Sequence, residues 1–118
     1  MSGKPFQYKK QAVKDVQASM NVPGVAATLG DTFVSTDADK TICAGFFHLE
    51  KGNELKYSYD YEEMKIVVEG TFVISDDTGQ KVTATVGDVL YFPSGSNVTF
   101  TTPNERAVGF FTGQRAPI

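Results

Sequence analysis

Residues 57 to 70 read YSYDYEEMKIVVEG, and this stretch gathers the side chains best suited to chemistry. Glu63 and Lys65 stand two positions apart, so an extended backbone puts them on one face. Tyr57, Tyr59 and Tyr61 precede them at the same spacing. A carboxylate beside an ammonium keeps both charged, and the pair can bind a polar ligand or exchange a proton with it. Glu63 would then serve as general base, Tyr59 or Tyr57 as general acid or oxyanion donor, and Lys65 as anchor for a substrate carboxylate. Tyr61, Tyr91, Phe100 and Phe111 would wall the ligand space. The same residues could instead form a satisfied ion pair with tyrosines filling a core, and both readings stand at this point. His48 is the only histidine. A three-histidine metal centre is therefore impossible within one chain, and a divalent metal could be held only by a reduced site of His48, Glu63 and a tyrosine. No cofactor is otherwise expected.

These residues need strands to position them. TICAGFFHLEKG, LKYSYDY and EMKIVVEG are three strand-like runs ending at turn signals. TFVIS and KVTATV flank DDTGQ, whose aspartates and glycine suit a hairpin, and Asp76, Asp77 and Gly79 form a turn without a full calcium loop. GDVLYFPSG, NVTFTT and RAVGFFTG supply the rest. Roughly nine short strands at this spacing predict an all-β sandwich or jelly-roll barrel. Before them, KKQAVKDVQAS offers a weak helical stripe, one short helix at most, and GVAATLGDTFVST reads as one or two strands broken at Gly30-Asp31. The phenylalanines Phe46, Phe47, Phe72, Phe92, Phe100, Phe110 and Phe111 are expected in the core or pocket wall.

Composition narrows the function classes. The 118 residues suit a single domain over 1–118, with a core at about 25–117 after a segment 1–24. No apolar run approaches the ~20 residues of a membrane helix. The start, MSGKPFQYKKQAVKD, lacks the apolar stretch of a secretory signal, so a cytoplasmic chain is expected. A net charge of −3 and a pI near 5.0 argue against nucleic acid. Lys4, Lys9, Lys10 and Lys14 read as a solvated edge. Cys43, the lone cysteine, excludes an intramolecular disulfide and reads as a small buried thiol. No GxSxG elbow or Cys-His pairing points to nucleophilic hydrolysis.

Two stretches carry a family resemblance. EEMKIVVEG and GDVLYFPSG resemble the paired signature motifs of the cupin superfamily, here Glu63 to Gly70 and Gly87 through Pro93 to Gly95. The triplet Tyr61-Glu62-Glu63, the ending VVEG and the run GDVLYFPSGSNVTFTTP resemble, more narrowly, small cupins of the ethanolamine-utilisation EutQ type, over roughly residues 43 to 117. The resemblance implies a single cupin jelly-roll β-barrel with Glu63 pointing inward. Metal-binding members would carry histidines where this chain has Tyr57, Tyr59 and Val98, which leaves only Glu63 of the usual four ligands. It also implies a homodimer joined at a sheet edge, with the strand around 25–34 crossing over.

Three functions are open to such a chain. The first is a metal-independent enzyme of lyase, isomerase, dehydratase or decarboxylase type acting on a small polar metabolite. The second is a non-catalytic ligand-binding or assembly module. The third is a metal-dependent enzyme using His48 and Glu63.

Overall fold

Alternating burial shapes the computed structural model, which describes residues 3–117. Along Cys43–Glu50 the odd positions Cys43, Gly45, Phe47 and Leu49 are buried and the even ones less so, the two-residue period of a strand with one face on a core. Ten strands obey this logic to different degrees. They are β1 (Ala18–Ser19), β2 (Ala27–Val34), β3 (Cys43–Glu50), β4 (Leu55–Ser58), β5 (Glu62–Glu69), β6 (Thr71–Asp76), β7 (Lys81–Thr85), β8 (Val89–Phe92), β9 (Asn97–Thr101) and β10 (Arg106–Gln114).

They form two antiparallel sheets, six-stranded in the order β1-β2-β3-β10-β5-β8 and four-stranded in the order β4-β9-β6-β7. The expected all-β jelly roll is the fold. Its sheets face each other as a sandwich and do not close into one hydrogen-bonded barrel, since β7 and β8 end their sheets as separate edges. Phe47, Phe72 and Phe100 fill the space between the sheets, with the Phe47 and Phe72 rings stacked at 5.6 Å and Phe100 edge-on to Phe47 at 5.5 Å. Leu49, Leu55, Val67 and Phe111 complete a fully buried centre. Cys43 is buried there too, as a small thiol whose Sγ lies 3.4 Å from the Gly113 carbonyl.

The short helical element expected near the start is a single 3-10 turn, Ala12–Lys14, with nothing buried. Val16, just beyond it, is 100 % exposed, and without an apolar face against a core the turn does not grow into a longer helix, which would not offset the cost of its nucleation. Residues 27–34 are one strand, with the anticipated break surviving only as a register shift between Asp31 and Phe33 against β3. The run LKYSYDY is a strand only through Ser58, and Tyr59 to Tyr61 form the crossing into β5.

One irregularity decides where side chains point. Val108 on β10 pairs with Glu69 whereas Gly109 pairs with Val67, so Val68 is an extra residue on β5. A bulge of this kind re-aims the side chains beyond it. Glu63, Lys65 and Val67 face inward, and Glu69, which strict alternation would put on the same face, turns outward to a forked pair with Arg106.

Candidate functional site

The inner face of β5 places Glu63 and Lys65 in the middle of the sandwich, 3 % and 4 % exposed. Lys65 Nζ lies 3.4 Å from Glu63 Oε2. The Tyr59 hydroxyl donates to the same oxygen at 2.6 Å. Tyr59 is fixed by the loop after β8, because its backbone N–H reaches the Ser96 carbonyl at 2.9 Å and its own carbonyl accepts from Gly95 N–H at 2.7 Å. Phe92 stacks on its ring, centroids 5.0 Å apart and nearly parallel. The two sequence motifs thus meet in space: the first supplies the carboxylate and the second clamps the tyrosine that bonds it.

The rest of the ammonium's surroundings is aromatic. Nζ sits 4.4 Å from the Phe47 ring centre, 4.8 Å from Phe100 and 5.5 Å from Phe92, distances at which ring faces attract a cation. A buried ion pair has to offset the desolvation of both charges, and this one does so with a carboxylate partner, a phenol and three ring faces. Burial pushes the Lys65 ammonium below its ordinary range, and the Glu63 charge opposes that shift. The Tyr59 phenol is held well above its usual range by burial first and by Glu63 second.

Tyr57 and Tyr61 stand at the same end of the interior, their hydroxyls 2.9 Å apart. The space between these groups is about 10 Å³, lined also by Met20, Leu29 and Leu55, room for about one water molecule. Met20 follows β1, whose two residues pair with Leu29 and Thr28, and its own N–H donates to the Ala27 carbonyl at 2.9 Å.

Of the candidate residues, the structure brings together Glu63, Lys65, Tyr59, Tyr57, Tyr61 and Phe100. Phe111 is fully buried against the Arg115 guanidinium, 5.6 Å from its ring centre, and does not line that space. Tyr91 lies on the other face of the sheet, where its hydroxyl donates to Glu62 at 2.6 Å. Glu62 also accepts from the Ser94 N–H. His48 is likewise turned outward, between the inward Phe47 and Leu49. Burial and the Arg106 charge hold its imidazole below the ordinary range, with Glu69 opposing. His48 and Glu63 therefore share no site, and among the described residues no three His, Cys, Asp or Glu side chains gather as metal ligands. A single carboxylate already engaged by an ammonium does not fit a divalent cation.

Sequence reasoning missed the glycines of GFFTG. A Cβ at Gly109 would stand 2.8 Å from Lys65 Cδ, and one at Gly113 would stand 3.2 Å from the Tyr61 ring. Both glycines lie on the inner face of β10, and their place on a strand otherwise rich in large side chains was the available signal. It also missed Arg115 and Asp31, a forked pair at 2.9 and 3.0 Å with both side chains only 10 % exposed.

Two antiparallel sheets in jelly-roll order, joined at an inward motif glutamate, define a cupin. An RmlC-like cupin from Shewanella frigidimarina NCIMB 400 superposes with a TM-score of 0.62 over 97 % of this chain and 93 % of its own, at 18 % identity. The EutQ protein of Clostridium difficile superposes with a TM-score of 0.70 over 85 % of this chain and 76 % of its own, at 23 % identity. The family model "Ethanolamine utilisation protein EutQ" matches residues 7–112, and the chain belongs to that family. A curated relative from Clostridioides difficile (strain 630), named acetate kinase EutQ, is 33 % identical over 54 residues, 46 % of this chain. The chain covers about a third of that relative's length, 34 %.

Proposed function

We propose that this EutQ-family cupin binds a small polar metabolite, a short carboxylate or carbonyl compound, against Lys65 and moves a proton on it with Glu63. The observation that carries this reading is the fully buried Tyr59–Glu63–Lys65 cluster on the inner face of a cupin sandwich. Lys65 supplies the positive charge that a substrate carboxylate needs, and Glu63 lies within reach of the same position. In a proton-transfer step Glu63 accepts the proton from a carbon next to a carbonyl, and a tyrosine O–H donates to the oxygen where the charge collects. Glu63 then returns the proton to the product. The ligand enters by displacing Met20, since the space between these groups is one water in size. The reaction would run in the cytoplasm and be of lyase or isomerase type.

A second reading, a binding or assembly module without chemistry, is favoured by one observation: Glu63, Lys65 and Tyr59 already satisfy one another and leave about 10 Å³. Thermal-shift titration with short carboxylates, short aldehydes, acetate and ethanolamine, followed by hydrogen–deuterium exchange at the ligand's acidic carbon, separates the two. A ligand whose stabilisation and exchange are both lost in Glu63→Gln and Lys65→Met supports the enzyme. Unchanged affinity and turnover in both variants would sink it, and no shift from any probe leaves the module.

A further inference from the structure

Along one side the two sheets do not meet. β7 and β8 are the last strands of their sheets, linked by a tight turn in which Asp88 N–H donates to the Thr85 carbonyl at 2.9 Å, but by no ladder. Between them runs a groove of about 550 Å³. Small-molecule sites commonly measure about 300–1,000 Å³, whereas the space around Glu63 is about 10 Å³. The floor of the groove is apolar: Ile74, Phe92 and Val98 are buried in it, and Val82 and Leu90 are half-buried. Tyr91, expected at the interior site, stands in the wall of this groove instead. Phe46 and Phe110, expected in the core or pocket wall, lie on the outer face of the six-stranded sheet with their rings edge to face at 5.3 Å, and take no part in it.

The charge of the groove has one sign. Asp76 and Asp77 line it at the β6–β7 turn, and no lysine, arginine or histidine does. Neither aspartate enters an ion pair among the described residues. Asp76 Oδ1 accepts from the Thr78 N–H at 2.9 Å and from its hydroxyl at 2.6 Å, and these bonds hold the carboxyl below its ordinary range. Asp77 Oδ2 accepts from the Asn97 amide on β9 at 2.8 Å, which ties the turn to the sheet. Each carboxylate keeps its other oxygen toward solvent and without a hydrogen-bond donor among the described residues. The opposite wall is pinned as well. The Ser96 hydroxyl donates to the Pro93 carbonyl at 2.6 Å, Ser94 N–H donates to Glu62, and the same loop clamps Tyr59 through Gly95 and Ser96. Two carboxylates without a third ligand do not make a divalent-metal site. We propose that the groove is a second ligand site, which takes a small organic amine with its apolar body on Phe92 and Val98 and its ammonium against Asp76 and Asp77. An ammonium brings three donors and no acceptor, and the two open carboxylate oxygens are what it needs. Preformed walls lower the ordering cost of binding. This site goes beyond the reading of the interior and does not depend on it, since the two spaces share no lining residue.

Amide-resolved NMR of the whole chain, titrated with phenethylamine up to about 20 mM, tests the proposal, with phenethyl alcohol and phenylpropionate as probes of the same body and different charge. The expected result is saturable shifts centred on Thr78, Gln80, Leu90 and Ser94, with the alcohol and the carboxylate at least about fivefold weaker. The double variant Asp76→Asn/Asp77→Asn, which keeps a side-chain oxygen at each position, should weaken the amine at least about fivefold and leave the alcohol unchanged. Both aspartates are outside the buried core, and far-UV circular dichroism verifies the fold of the variant. Should it fail to fold, Ser94→Trp decides: its ring, placed on an exposed loop position in the wall, should abolish the shifts. The proposal is overturned by no saturable shift from the amine, by equal binding of all three probes, by full affinity in the variants, or by shifts centred on Glu63 and Lys65. That last outcome would assign the amine to the interior, and a silent groove would leave the reading of the interior untouched.

Discussion

Replacing Lys65 with methionine removes the charge and keeps most of the volume. In the native interior the Glu63 carboxylate is 3 % exposed and is neutralised by one ammonium at 3.4 Å and one phenol at 2.6 Å. Without the ammonium, a carboxylate remains buried among Phe47, Phe92 and Phe100, with the Tyr59 hydroxyl as its only hydrogen-bond donor among the described residues. Breaking one side of a buried pair costs about 3–5 kcal/mol, and for a domain of this size that lowers Tm by roughly 10–20 °C. Glu63→Gln leaves the converse, a buried ammonium with a neutral amide, and is expected to cost a similar amount. The double variant Glu63→Gln/Lys65→Met removes both charges and leaves a glutamine that Tyr59 can still hydrogen-bond. Its stability should return to within ~1 kcal/mol of the wild type or exceed it. Urea unfolding of the four proteins at neutral pH closes the cycle, and the coupling between the two sites is read from its sum. If Lys65→Met shifted stability by less than ~1 kcal/mol, or if the double variant lost the sum of the singles, the two charges would not be compensating each other and the account of the interior would be wrong.

Gly109→Ala is expected to cost about 1–3 kcal/mol, because its new Cβ meets the Lys65 stem at 2.8 Å in a filled interior; thermal denaturation measures it, and a neutral result would show that the stem can move aside. Tyr59→Phe removes the donor at 2.6 Å from Glu63 and should cost about 1–3 kcal/mol by the same assay. In an ultraviolet titration of the folded protein Tyr59 and Tyr61, both raised first by burial, stay protonated beyond the ordinary tyrosine pKa of ~10 and ionise only as the fold is lost. For His48, whose imidazole is depressed by burial and by Arg106 from β10 against the opposing Glu69 from β5, the folded form binds its proton later than the unfolded one. Its contribution to stability is therefore intact above the ordinary histidine pKa of ~6.5 and is lost as pH falls through the lower folded value. A histidine NMR titration midpoint at or above ~6.5 would refute the assignment.

Much of this was legible in the chain. The alternation of TICAGFFHLE and the turn signals between short valine- and phenylalanine-rich runs locate most strands, and spacing alone places Glu63 beside Lys65. The meeting of Tyr59 with Glu63 was legible only as proximity, because the clamp from Gly95 and Ser96 is a backbone contact between segments far apart in sequence. His48 and Tyr91 were misplaced for the same physical reason: a strand residue's face depends on register, and a one-residue difference moves it to the other side of the sheet. The turn of Glu69 depends on the extra residue at Val68, which no local preference announces. Gly109 and Gly113 read as ordinary strand glycines until the side chains they admit are known.

Strand β5 ties the interior to the outer face. A strand that hides Glu63 and Lys65 and shows Met64, Ile66 and Val68 is unfavourable on both sides in an isolated chain, and the opposite register would put apolar groups inside and charges in water. The native register is held on the inner side by the Tyr59–Glu63–Lys65 cluster and by the gap at Gly109. On the outer side Met64, Ile66 and Val68 stay exposed, so the register rests on the inner contacts. A Lys65→Met protein is therefore expected to exchange the backbone amides of β5 and of its edge neighbour β8 faster than the wild type, by about tenfold or more. Hydrogen exchange read by mass spectrometry resolves these segments. Equal protection of β5 and β8 in the two proteins would mean that the buried ion pair contributes nothing to holding the register.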